Sequence, residues 1–131
     1  MTTVVNQTDS IAAYRRNSIL TAGPMELIIM MFDGLRKDLM LSKSAIERNQ
    51  IETAHARLMN AQAIITELIN SLDLKNSMSH DILPIYDFMF NELIAINTNK
   101  NVEQIEPLLE LVTEWREIWQ SVADATRSDT D

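Results

Sequence analysis

Seven apolar residues, Ile51, Ala54, Leu58, Ala61, Ile65, Leu68 and Leu72, recur at alternating steps of three and four. That spacing follows the 3.6-residue turn and lays one apolar stripe along about six turns of an α-helix. A strand, with its period of two, would scatter the same residues over both faces. Three further stripes follow the same rule. The first is Leu27, Met31, Leu35 and Leu39, continued by Ser42 and Ile46. The next is Ile82, Tyr86, Met89, Leu93 and Ile96, and the last is Ile105, Leu108, Val112, Trp115, Trp119 and Val122. With two glycines and three prolines in 131 residues, hairpin signals are missing too. The chain reads as all-α, one domain of four amphipathic helices.

Local chemistry sets the expected ends. Gly23 as N-cap puts Pro24 at the first helical position, where its missing N–H is no loss, and Glu26 meets the positive end of the helix dipole. The first helix is expected over 24–48, with Asn49 both ending it and capping a second over 50–71. A polar turn over 73–80 leads to Asp81, whose role as N-cap would place Pro84 at the third position of a helix reaching about Asn97. After a second polar turn over 98–101, Asn101 and Gln104 have the spacing of a capping box. Pro107 then leaves two alternatives, a separate first turn or a bent helix. The fourth stripe runs from Leu108 to about Ala123. Short joints between long helices make neighbours antiparallel, so the expected architecture is an up-down-up-down four-helix bundle. Residues 1–10 read as a flexible leader, 11–23 as a short cap segment, 24–123 as the bundle and 124–131 as a polar tail.

Composition narrows the function. No cysteine means no disulfide, thiolate zinc site or cysteine nucleophile, in keeping with a reducing compartment. The longest apolar run, 27–32, is far short of the roughly 20 residues of a spanning helix, and no secretory signal is visible, so a cytoplasmic protein without membrane insertion is expected. A net charge of -8, with its basic pairs Arg15-Arg16 and Arg36-Lys37 dispersed, argues against nucleic acid.

A helical bundle raises the question of a dimetal site, which needs two Glu-x-x-His motifs. Only Glu52 and His55 supply one, so no metal and no cofactor is expected. His55 also invites comparison with phosphorelay domains, but Leu58 and Met59 stand where those have a lysine and a glycine. Gly23 and Gly34 are too few and too far apart for a phosphate loop. With no nucleophile in sight, the chain reads as a non-enzyme.

Binding is better supported. Ile29, Met30, Met59, Ile64, Ile69, Ile85, Phe88, Phe90, Ile94, Leu109, Leu111 and Ile118 exceed the roughly three positions in seven that a bundle core uses. They either widen the core or line a groove, and eight methionines suit an adaptable surface. Glu103, Glu106, Glu110, Glu114 and Glu117 form an acidic ridge on the fourth helix, either a solvated face or a dock for a basic partner. Ile11, Tyr14, Ile19 and Leu20 precede the first helix and are too apolar for a free leader. They suit a segment lying over the bundle, as permanent cover or as an arm that a ligand displaces.

The run Ile11-x-Ala13-Tyr14-x-x-Asn17-Ser18-Ile19-Leu20-Thr21-Ala22-x-Pro24-x-Glu26-Leu27-Ile28, then Met31-Phe32-Asp33-Gly34, resembles the opening signature of the flagellar export chaperones called FliS. The likeness continues through Ala61-Gln62-x-Ile64-Ile65-x-Glu67-Leu68, Leu72-Asp73, Tyr86-Asp87-Phe88-Met89 and Trp119. The resemblance implies a cytoplasmic four-helix bundle that holds the C-terminal segment of flagellin, prevents premature polymerisation and aids delivery to the flagellar type III export gate. By the same resemblance, Ile11 and Tyr14 fall on positions of partner contact and of the cap over the groove. With Ile19, Leu20, Met59, Ile64, Ile85, Phe88, Ile94, Leu111 and Ile118 they are the candidate partner-binding residues. The competing readings are a histidine phosphotransfer domain using His55 and a self-associating bundle that forms a homodimer.

Overall fold

The computed structural model describes residues 24–130, with side chains as far as Thr126. Among them the chain is all-α, without a strand: α1 is Pro24–Glu47, α2 Ile51–Asn70, α3 Ser77–Asn99 and α4 Ile105–Thr130, with a short 3-10 turn, Val102–Gln104, before α4. Each apolar stripe faces inward along most of its length, although Ile51, at the start of α2, is exposed. Phe32, Leu35 and Leu39 of α1, Leu58, Ile65 and Leu68 of α2, Tyr86, Met89, Leu93 and Ile96 of α3, and Ile105 and Val112 of α4 are fully buried in one core. Each such side chain contributes about 1.5–3 kcal/mol on removal from water, which is what holds helices of modest intrinsic stability together.

The joints depart from expectation in instructive ways. Asn49 ends α1, but does not cap α2. It sits at φ 59 while its own N–H bonds the Ile46 carbonyl and the N–H of Gln50 reaches back to Ala45 at 2.7 Å. This is the Schellman arrangement, and a left-handed residue cannot also serve as an extended N-cap. Gln50 takes that position, without a side-chain bond.

α3 begins five residues earlier than Asp81 as N-cap would have it. The Asn76 side chain caps it by accepting from Met78 N at 2.9 Å. Upstream, Asp73 accepts from Lys75 N and His80 Nε2 lies 2.7 Å from the Leu74 carbonyl. Pro84 is therefore interior to the helix and removes one backbone bond from it. Lys100, at φ 51, closes α3 with its N–H on the Ile96 carbonyl.

The 3-10 turn settles the question at Pro107. Asn101 caps that turn through Glu103 N at 3.0 Å, and α4 starts afresh at Ile105, leaving Pro107 in its first turn among donors that have no helical acceptor. No reciprocal bond from Gln104 closes a capping box: its Oε1 is buried without a partner among the described residues. At the other end α4 runs on to Thr130, beyond the Ala123 at which the apolar spacing fades.

Packing is uneven around the bundle. α1 lies between α2 and α4 and packs along both, and α3 packs along α2, but α3 and α4 meet only sparsely. Gly34 brings α1 close to α2, since a Cβ built on it would lie 3.4 Å from Ile64 Cδ1. Arg36 Nε donates to Thr113 Oγ1 at 3.0 Å, and Arg116 pairs with Asp33 at 2.9 Å, fixing α4 to α1. The result is a bundle with one slack seam, between α3 and α4.

Candidate functional site

What bridges the slack seam is aromatic. Trp119 of α4 donates its Nε1–H to the Tyr86 hydroxyl of α3 at 3.1 Å, and the Tyr86 ring packs at a tilt against Phe32 of α1, centroids 6.1 Å apart. Burial pushes the Tyr86 phenol up to about 12, the Trp119 hydrogen bond opposing this, so the hydroxyl is neutral.

The bonds to the other helices show which faces border the seam. On α4, Thr113 and Arg116 point to α1 and Val112 to the core, so Leu111, Trp115 and Ile118 lie on the side away from α1. On α3, Asn97 meets His55 of α2 and Met89 points to the core, so Ile85, Phe88 and Glu92 lie on the side away from α2. These two faces border the seam between α3 and α4. Phe88 is 53% exposed and Ile118 39%, while Ile85, Leu111 and Trp115 are half-buried against the core. Bulky apolar side chains left in water on one stretch of surface mark a binding face.

The sequence-derived candidates divide accordingly. Ile85, Phe88, Leu111 and Ile118 all lie on the faces that border the seam. Met59 and Ile94 are exposed, but belong to the outer joint of α2 and α3: Met59 lies one turn from His55 and Ile94 one turn from Asn97, the pair whose side chains meet at 3.1 Å. Ile64 is buried against Gly34. Ile11, Tyr14, Ile19 and Leu20 lie outside the described residues.

Sequence reasoning placed Trp115 and Trp119 with the core and overlooked them as lining of the seam. Both are half-buried, and their i, i+4 spacing was the available signal. It also overlooked Leu74 and Met78, which are exposed beside the α2–α3 turn.

The ionic features are mostly structural. Of the acidic ridge, Glu106 pairs with Lys43 and Glu117 with Arg116, each at 3.2 Å. Such exposed pairs contribute about 0–1 kcal/mol. Asp38 is different. It is buried between α1 and α2, accepts from Asn60 Nδ2 at 2.5 Å and lies 3.6 Å from Arg57. Burial lifts its carboxyl above the ordinary range, against the pull of Asn60 and Arg57. His55 is exposed, with Asn97 also taking a bond from Lys100 Nζ. Among the described residues no group of three His, Cys, Asp or Glu could hold a metal ion, and no helix is long and apolar enough to cross a membrane.

Comparison with known proteins agrees with these features. The sequence model of the family described as "Flagellar protein FliS" matches residues 7–126. The flagellar secretion chaperone FliS of Bacillus subtilis (strain 168) is 32% identical over 117 residues, covering 89% of this chain and 88% of the relative. The protein of the same name from Vibrio cholerae serotype O1 is 24% identical over 119 residues, covering 86% and 88%. That of Salmonella typhimurium is 24% identical over 110 residues, covering 82% of each.

Proposed function

The chain belongs to the FliS family of flagellar proteins, and from that premise we propose that it is a cytoplasmic export chaperone whose α3–α4 seam holds the C-terminal segment of flagellin. Membership in the family makes it a chaperone of flagellar secretion, a role of binding rather than of catalysis. The observation that carries the finer reading is the slack seam itself, with Phe88 and Ile118 in water on its two sides and Ile85 and Leu111 between them and the core.

The physics is helix-in-groove recognition. A filament subunit buries the apolar faces of its terminal helices only on assembly, so a free subunit needs a substitute surface. An amphipathic segment that folds on the seam loses roughly 2–5 kcal/mol to ordering and recovers more from apolar burial, at about 25 cal/mol per Å². While it is held, premature polymerisation is blocked; handover at the export gate releases it. In this proposal the segment 11–23, with Ile11, Tyr14, Ile19 and Leu20, covers the apolar surface until the partner displaces it, and the whole chain acts as one domain. Met59 and Ile94 would extend the contact where the flagellin segment continues past the seam onto the α2–α3 joint.

The test is calorimetry of the purified chain with flagellin's C-terminal segment. A 1:1 complex with a negative heat-capacity change is expected, together with no capture of flagellin lacking its C-terminal helix. Equal capture of the truncated flagellin would end the proposal.

A further inference from the structure

The Trp119–Tyr86 bond sets the level of α3 against α4. Six residues on from Tyr86 is Glu92, and five back from Trp119 is Glu114, displacements of about 9 and 7.5 Å along antiparallel helices. The two carboxylates therefore flank the seam at about the same height. Glu92 shares its helix face with Ile85 and Phe88 at steps of three and four, and Glu114 stands between Leu111 and Ile118 in the same way.

Among the described residues nothing neutralises them. Neither has a hydrogen-bond or ion-pair partner among the described residues, α3 contains no Lys or Arg, and the basic residue of the adjacent stretch of α4, Arg116, is engaged by Asp33 and Glu117. Asp81 and Asp87 add negative charge along α3. A seam that is apolar at its floor and acidic at both edges is complementary to a helix with the opposite edge charge.

We infer that this seam selects its occupant by charge, taking an amphipathic helical segment that carries a Lys or Arg beside its apolar stripe and seating that cation between Glu92 and Glu114. The inference rests on the reading of the seam as the partner's docking site and adds the chemistry that the partner must bring. A cation seated at that height meets a carboxylate from each helix, one on either side of the seam. An occupant with acidic flanks meets the same pair as a barrier, so charge discriminates between segments of equal apolarity. Glu92 is half-buried, so its interaction is less screened than that of a fully exposed pair.

The test uses the full chain and two synthetic helical peptides of about 20 residues, roughly 30 Å long, with the same apolar stripe but Lys or Glu on the flanks. Fluorescence anisotropy should show the Lys-flanked peptide binding about tenfold tighter at ~50 mM salt, with most of that preference gone at ~500 mM. Glu92→Gln combined with Glu114→Gln, with helicity verified by circular dichroism, should leave the stripe bound and abolish the preference. Equal binding of the two peptides, a preference that survives the double substitution, or no binding of either overturns the inference. So does a dimer of the chain, seen by sedimentation, that the Lys-flanked peptide does not dissociate. Flagellin capture, measured in parallel, separates the two proposals. Intact capture without charge preference leaves the chaperone role standing, and lost capture with the preference intact sinks that role alone.

Discussion

Trp119 and Tyr86 share a 3.1 Å hydrogen bond across the seam at which α3 and α4 hardly pack. The indole supplies the donor and the phenol, buried beside Phe32, supplies the acceptor. Replacing Trp119 by Phe keeps an aromatic ring but withdraws the donor from a buried hydroxyl, which should lower stability by about 1–3 kcal/mol. Urea denaturation of Trp119→Phe, Tyr86→Phe and the double variant should give a coupling of about 0.5–1.5 kcal/mol. Strict additivity would mean that the bond does not fasten the two helices.

Asp38 governs a pH effect of definite sign. Its folded pKa lies above the ordinary carboxylate value, chiefly through burial, so ionisation opposes folding. The contribution of this group is most favourable below the unfolded value of 3.8 and is lost as pH rises through the higher folded value. Asp38→Asn removes that penalty and keeps an acceptor for Asn60, while Arg57, with its side chain 35% exposed, still reaches water. The variant should have the higher urea midpoint at pH 7, and the gap between the two proteins should close as pH falls below about 4. A lower midpoint at pH 7 would show instead that the Asn60 and Arg57 contacts outweigh burial.

The left-handed joint at Asn49 offers a gain. At φ 59 glycine has no Cβ penalty, so Asn49→Gly should stabilise the chain by a few tenths to about 1 kcal/mol, and Asn49→Ala should destabilise it by about 1 kcal/mol. Thermal melts of the two variants decide this by their opposite shifts.

Core and seam should respond differently to truncation. Ile64→Ala opens a cavity beside Gly34 and should cost about 2–4 kcal/mol of stability, whatever it does to binding. Phe88→Ala and Ile118→Ala truncate side chains that are about half exposed and outside the buried core, and each should cost less than Ile64→Ala, about 1 kcal/mol. Together they should weaken the flagellin segment about tenfold or more, as expected for apolar contacts at the middle of an interface. Paired denaturation and calorimetry separate the two effects.

How much was legible beforehand depended on whether the signal was local. The stripe from Ile51 to Leu72 is a period, and a period survives any context, so α2 and its buried face were readable to within a residue or so. The start of α3 was not. Residues 77–80 look like part of a turn by composition, and the Asn76 side chain, accepting from Met78 N, caps a helix that already includes them. The double duty assigned to Asn49 failed because one φ angle cannot satisfy both a left-handed terminus and an extended cap. The surplus of apolar residues suggested a groove, but not where. Periodicity gives the direction in which Phe88, Ile94 and Ile118 point, not the separation of the helices on either side, and that separation distinguishes the α3–α4 seam from the α2–α3 joint.

The central claim is that the partner lies on the seam, and the chain carries its own probes there. Its two tryptophans, Trp115 and Trp119, are both half-buried beside the seam. Titration with a tryptophan-free flagellin C-terminal segment should shift their emission to the blue and protect them from acrylamide, saturating at one segment per chain. Binding detected by anisotropy with unchanged emission and quenching would contradict the account, because the segment would then be seated elsewhere.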